Sequence, residues 1–265
     1  MTLTPNADIT GSLPHAAPAT LAPTGDKLPA TIGGPTLRAA ALSGDGAASY
    51  EVGMRFAEGH GVPANNAEAA LWFERAAKQG LVPAQFRLGG LYEKGLGVKK
   101  NLVTARDLYL AAANKGNGKA MHNLAVLYAE GIEGSPDYSN ASHWFREAAD
   151  RGVTDSQYNL GILYARGIGV AQNFAESYKW FALAANQGDE DAGKKRDEVA
   201  AKLDQQSLTA ARLAVETWKA VPQPDEAINV KSPAAGWDVT QTNTAKPKPH
   251  PVAAAKAAEA VAKTN

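Results

Sequence analysis

Five histidines are the residues in this chain best suited to hold a metal or move a proton: His15, His60, His122, His143 and His250. A zinc site needs imidazoles at a spacing that turns two of them toward one ion, as in H-x-x-x-H on a helix face. No such pair occurs, so the histidines read as surface or half-buried helix residues and no metal is expected. There is no cysteine, which removes thiolate ligands, disulfides and cysteine nucleophiles together. Gly59-x-Gly61, Gly95-x-Gly97 and Gly167-x-Gly169 have the outline of a phosphate-cradling loop. They follow helix-like segments rather than strands, and no Gly-Lys-Ser/Thr comes after them, so they read as turn glycines. A G-x-S-x-G nucleophile elbow is also missing. Neither catalysis nor a cofactor is expected.

What remains are polar side chains, and their arrangement is set by a repeat. Glycines recur at Gly44, Gly80, Gly116, Gly152 and Gly188, a period of 36. Counting each glycine as position one, the ninth position reads Val52, Leu88, Leu124, Leu160 and the thirteenth Phe56, Tyr92, Tyr128, Tyr164. Gly59, Gly95, Gly131 and Gly167 hold the sixteenth. The second half of the unit gives Trp72, Leu108, Trp144, Trp180, each followed by an aromatic, and then alanine pairs from Ala76-Ala77 to Ala184-Ala185. A fixed period of this length is the mark of a stacked repeat architecture.

Each unit reads as two helices. The first ends at the sixteenth-position glycine, where a left-handed residue stops a helix without a Cβ penalty. The second starts after Asn65, Asn101, Asp137 or Asn173, side chains that accept from the first free N–H groups of a helix. Glu68 and Glu176 sit three residues on, the capping-box place. Pro83 fits a first turn, where its missing N–H costs little. Ala69, Trp72, Phe73, Ala76 and Ala77 fall on one helix face. One hairpin cannot bury that face alone, so the reading is an all-α, right-handed solenoid in which stacking buries it. The tryptophans at Trp72, Trp144 and Trp180 are then core.

The expected organisation is a linker at 1–35, a solenoid at 36–221 and a Pro/Ala/Lys-rich tail at 222–265, both tails disordered. The solenoid divides into units 44–79, 80–115, 116–151 and 152–187, with a capping hairpin at 188–219. Leu37–Leu42 reads as the end of an incomplete second helix. Lys194–Glu198 puts charge where a first helix should be apolar. In the tail, Lys246–Pro251 reads as extended linker and Val252–Lys263 as a short helix. Trp237 stands outside the periodic region, and a docking contact is one reading of it.

In repeat proteins of this geometry the first helices line the concave side. Polar positions there that the core does not use are the candidates for partner binding. The eighth position gives Glu51, Arg87, Asn123 and Asn159; the fifteenth gives Glu58, Lys94, Glu130 and Arg166. Equivalent positions in neighbouring units stack about 10 Å apart. Asn123 and Asn159 could hydrogen-bond an extended peptide backbone, and Arg87 a carboxylate. The competing reading is a solvated polar face.

The unit A-x-x-x-L-G-x-x-Y-x-x-G-x-G-V followed by W-F-x-x-A-A-x-x-G resembles the Sel1-like repeat family, with Tyr158–Val170 a close match. The third unit departs, having Glu133-Gly134 and then Ser135-Pro136 where Gly-Val is usual, so its inter-helix loop is expected to differ. The resemblance implies a TPR-like scaffold for protein binding. Some members have been assigned β-lactamase-like activity, but those are cysteine-rich. A narrower resemblance, carried by Asp8–Pro14, the linker into Leu37–Glu58, Ala211–Trp218 and Ala234–Asp238, is to the periplasmic part of alphaproteobacterial polar-organelle-development localization factors. It implies a role in cell polarity or envelope organisation. From it also comes the alternative, a peptidoglycan-associated hydrolase or a regulator of one.

The chain carries 27 basic and 27 acidic residues. That balance gives no broad electrostatic footprint for nucleic acid. No apolar run approaches the roughly 18 residues of a membrane span, so no membrane insertion is expected. Met1–Pro14 has neither a basic n-region nor an apolar h-region, so no signal peptide is expected. A cytoplasmic setting follows unless the chain is part of a longer, membrane-anchored periplasmic parent. The expected partner is a protein or an extended peptide segment, with cell-wall association as the variant the narrower resemblance implies.

Overall fold

The structure is a computed structural model and describes residues 27–132 and 134–238. Asp8–Pro14, His15, His250, the Lys246–Pro251 linker and the Val252–Lys263 helix lie outside the described residues. Those described form a 3-10 turn (Ala30–Ile32), twelve α-helices and no strand. The helices are α1 (Pro35–Leu42), α2 (Gly46–Glu58), α3 (Asn66–Lys78), α4 (Val82–Lys94), α5 (Leu102–Ala113), α6 (Gly118–Glu130), α7 (Tyr138–Asp150), α8 (Thr154–Arg166), α9 (Phe174–Asn186), α10 (Glu190–Ala200), α11 (Gln205–Thr217) and α12 (Asp225–Ile228).

The caps set the helix limits. Asn65, Asn101, Asp137 and Asn173 each accept side-chain hydrogen bonds from the first turn of α3, α5, α7 and α9, satisfying donors a helix start leaves unpaired. Their own backbone N–H groups donate across the hairpin to the thirteenth-position aromatic: Asn65 to Phe56, Asn101 to Tyr92, Asp137 to Tyr128 and Asn173 to Tyr164, at 2.8–2.9 Å. This tie closes each of the four repeat hairpins in the same place. It also takes the N–H that a capping-box glutamate would need. The expected reciprocal cap is therefore not formed at Asn173, and Glu176 instead accepts from Trp180 Nε1 at 3.1 Å.

Gly59, Gly95 and Gly167 end α2, α4 and α8 in the left-handed region. Gly131 ends α6 at φ 90°, ψ 105° instead, so the loop of the third unit does differ. The second glycine of each Gly-x-Gly pair has another task. A Cβ on Gly97 would lie 2.2 Å from the backbone of Asn66, and one on Gly169 2.0 Å from the carbonyl of Tyr138. The turn of one unit thus sits directly on the first turn of the preceding unit's second helix.

Each of α1 to α9 packs on the next, and α11 packs on α9 as well. Phe73, Tyr109, Phe145 and Phe181 are at most 1% exposed. Three of these rings lie against a glycine of the preceding helix, where a Cβ on Gly53, Gly89 or Gly161 would come within 2.7–2.8 Å of the ring. Small residues opposite large rings are what let the helices approach. Trp72 and Trp180 are buried, and Trp144 is half-buried between two core clusters.

At one end α1 buries Leu37 and Ala41 against α2. Ile32 is fully buried in the same cluster, so packed chain begins earlier than Thr36. At the other end α10 buries Ala192 and Val199 while its charged run faces solvent, and α11 buries Ala211. Past α11 the chain turns back along the stack rather than leaving it, and Trp237 joins the cluster around Ile32 and Leu37. None of the described helices is long and apolar enough to cross a membrane.

Candidate interaction surface

The eighth-position row is uneven. Glu51 Oε1 accepts from Arg55 Nε at 2.8 Å. Arg87 is half-buried on α4, Asn123 is half-buried on α6, and Asn159 on α8 is 5% exposed. Asn123 Nδ2 donates to Tyr109 Oη at 3.0 Å, and Tyr109 Oη donates in turn to Glu93 Oε2 at 2.5 Å. The three groups form a chain that joins the second unit to the third and has no equivalent elsewhere in the repeat, because the first, third and fourth units have Ala57, Ala129 and Ala165 at the Glu93 position and phenylalanine at the Tyr109 position. Burial pushes the Glu93 carboxyl above its ordinary range and the Tyr109 hydroxyl well above its own. Glu58, Lys94, Glu130 and Arg166 of the fifteenth position are all exposed on the last turns of α2, α4, α6 and α8.

The three described histidines lie apart from one another. His122 is buried, its Nδ1 2.8 Å from Ser156 Oγ. Ser156 itself has no exposed surface. His143 lies edge-on to Trp144, and exposed His60 is 3.3 Å from Glu58. Among the described residues no group of three or more His, Asp or Glu side chains converges on a point that could hold a metal.

The most built-up site was not visible as a pattern. Residues 218–238 run back across the stack as a strap. Val221 N–H donates to the carbonyl of Asp150 at the end of α7. Gln223 Oε1 accepts from Gly118 N–H at 2.8 Å, and Pro224 seats against Gly116. Asn117 does two jobs: its Oδ1 caps α6 through Ala120 N–H, and its Nδ2 donates to the carbonyl of Ala227 at 2.6 Å. Ala227 is fully buried among Val82, Phe86 and Met121. Farther on, Trp237 is 8% exposed in the N-terminal cluster. Asp238 accepts both terminal nitrogens of Arg55, at 2.9 and 2.7 Å. Arg55 is fixed from behind by Glu51 and by the carbonyl of Ile32 at 2.9 Å. This bidentate pair is the strong form of a charged hydrogen bond. It holds the Asp238 carboxyl below the ordinary range and raises the guanidinium.

A signal for this site was present in the repeat register. The twelfth position reads Arg55, Leu91, Leu127, Leu163. The three leucines are at most 2% exposed. An arginine at a core leucine position of the first unit needs charged partners: Glu51 takes its Nε from within the unit, and Asp238, from outside the repeat, takes its two terminal nitrogens.

A family model described as Sel1 repeat matches residues 46–81, 82–117, 118–153 and 154–189. Among solved structures, a Sel1 repeat protein from Oxalobacter formigenes is 30% identical, covering 68% of this chain and 76% of that one at a TM-score of 0.57. A protective antigen of uropathogenic Escherichia coli strains displaying an SLR fold is 21% identical over 74% of this chain and 59% of that one, at a TM-score of 0.36. No curated protein matches. The narrower resemblance to polar localization factors finds no support in these comparisons.

Proposed function

Because the chain belongs to the Sel1 repeat family, whose repeats serve typically as non-catalytic modules for protein–protein interaction, we propose that it is a scaffold that holds an extended segment of a partner protein along its stacked hairpins. The platform is the set of units 44–79 to 152–187 with the hairpin 188–219. The observation that carries this reading is the strap. The fold already holds one segment from outside the repeat, irregular chain with the short helix α12 in it, using backbone groups and an asparagine at its inter-unit turns, which is the mode of recognition the repeat offers to a partner. In this proposal Arg87, Asn123 and Asn159 contact the partner backbone and its carboxylates, Glu51 orients Arg55, and Lys94 and Arg166 supply charge at the helix ends.

The test is recovery of partners by the immobilised chain, compared with Arg87→Ala/Asn123→Ala/Asn159→Ala. The triple substitution is expected to lower recovery; unchanged recovery from a folded variant would sink the row. A setting in cell-polarity or envelope organisation belongs to the same proposal and rests on the narrower resemblance alone. Co-sedimentation with purified sacculi checks the wall-associated version, and a chain left entirely in the supernatant removes it.

A further inference from the structure

We infer that the strap end is a stand-in for a partner: the site built by Ile32, Gly34, Leu37 and Arg55 accepts, from another protein, a segment in which a bulky apolar ring is followed directly by a carboxylate. This rests on the scaffold reading and names the chemistry of its partner.

Three observations converge. The first is the receptor for the carboxylate. Arg55 occupies a position that is leucine in the next three units, and Glu51 and the Ile32 carbonyl hold it so that both terminal nitrogens reach Asp238. Gly34 N–H adds a longer contact to the same Asp238 Oδ1, at 3.4 Å. An arginine pinned on one side and offering its fork on the other is a carboxylate site whether or not the carboxylate comes from this chain.

The second is the ring. Trp237 is buried, yet its Nε1 has no hydrogen-bond partner among the described residues. The site therefore reads the ring surface and not the indole N–H. A buried donor left unpaired is unfavourable, so a phenyl ring would fill the same place without that cost. The strap is a suboptimal occupant.

The third is the tether. Between the anchors at Ala227 and Trp237 the strap is exposed at Ile228, Asn229 and Lys231 to Gly236. Trp237 and Asp238 are held by their own contacts, so they can leave the site while Ala227 stays buried. Released, they vacate an apolar pocket next to a cation, which is complementary in shape and charge to a ring followed by an acid.

The test uses the full chain and a fluorescent peptide with the sequence of residues 229–238, read by fluorescence anisotropy. The opened variants are Trp237→Ala/Asp238→Ala and the milder Asp238→Lys, which decides the matter if the first loses its helical circular dichroism. A tethered segment competes at an effective concentration on the order of mM. Opening is therefore expected to tighten peptide binding about tenfold or more relative to wild type. Adding Arg55→Glu to Trp237→Ala/Asp238→Ala should abolish binding, and a peptide carrying Asp238→Lys should restore it. A peptide carrying Trp237→Phe should bind at least as tightly as the parent sequence. Folded opened variants that bind no more tightly than wild type would overturn the inference. So would a wild-type chain that dimerises with concentration by exchanging straps, since the occupant would then be a second copy. Peptide binding that persists in the Arg87→Ala/Asn123→Ala/Asn159→Ala background supports this site even if that row proves irrelevant to partner recovery.

Discussion

Replacing His122 with phenylalanine should change how stability depends on pH, and the size of the change follows from its surroundings. His122 holds the seventh position of the third unit, where the other three units carry Tyr50, Phe86 and Tyr158. It is 5% exposed, its ring 5.7 Å from that of Phe145. Burial pushes the imidazole from 6.5 down to about 4, against the upward pull of Asp155. The unfolded chain therefore takes up the proton first as pH falls. The stability associated with the neutral imidazole is complete above pH 6.5 and is lost between there and pH 4. With those two values the loss between pH 7 and pH 5 is about 2 kcal/mol, and the whole span of about 2.5 units is on the order of 3 kcal/mol. His122→Phe leaves Ser156 Oγ without its partner, at a cost that does not depend on pH; adding Ser156→Ala removes that cost. Urea unfolding of wild type and His122→Phe/Ser156→Ala at pH 7 and pH 5 isolates the histidine, because every other titrating group is common to both. The wild type should lose about 2 kcal/mol more than the variant over that interval. Parallel losses would refute the buried, neutral imidazole.

Other expectations follow from comparing units within the chain. Tyr109→Phe leaves the half-buried Glu93 without its donor and should cost about 1–3 kcal/mol. Tyr109→Phe/Glu93→Ala, which restores the residues of the other units, should recover most of that; additive losses in thermal unfolding would contradict the coupling. Gly161→Ala places a Cβ 2.8 Å from the Phe181 ring and should cost about 1–3 kcal/mol as overpacking, measured by urea unfolding. Gly169→Ala collides with the Tyr138 carbonyl, whereas Gly188→Ala meets nothing within 4 Å. The second should therefore cost only the left-handed strain of about 1–3 kcal/mol, and the first clearly more; equal melting temperatures for the two variants would contradict the contact between units.

The helices were legible because packing at a fixed period forces the same residue types to return. Gly59, Asn65, Phe73 and their equivalents announce where helices stop, start and bury. The capping box failed because a local motif competed with a tertiary tie: the N–H of Asn173 was already committed to Tyr164. The strap was hidden for a different reason. It makes its contacts through backbone groups and a few separated anchors, Ala227, Trp237 and Asp238 among them, and so has no period to detect. Its segment has the composition of a tail. What betrays it is a single violation, Arg55 in a leucine column, which becomes informative only once the column has been drawn up. The partner row is less well defined than its spacing suggested, since Asn159 is nearly buried and Glu51 is occupied by Arg55.

A linear repeat array is ordinarily a nearest-neighbour system that frays from its termini inward. The Arg55–Asp238 pair joins residues 183 positions apart, and with the Trp237 contact it makes the array a closed circuit. The first hairpin cannot open without breaking a bond to the segment that follows the last. Amide hydrogen exchange in α2 and at the 218–238 segment should then share one opening event rather than two. Whatever displaces the strap would do more than vacate a site. It would return the stack to an open chain of units, free to lose order from its first hairpin while the interior holds.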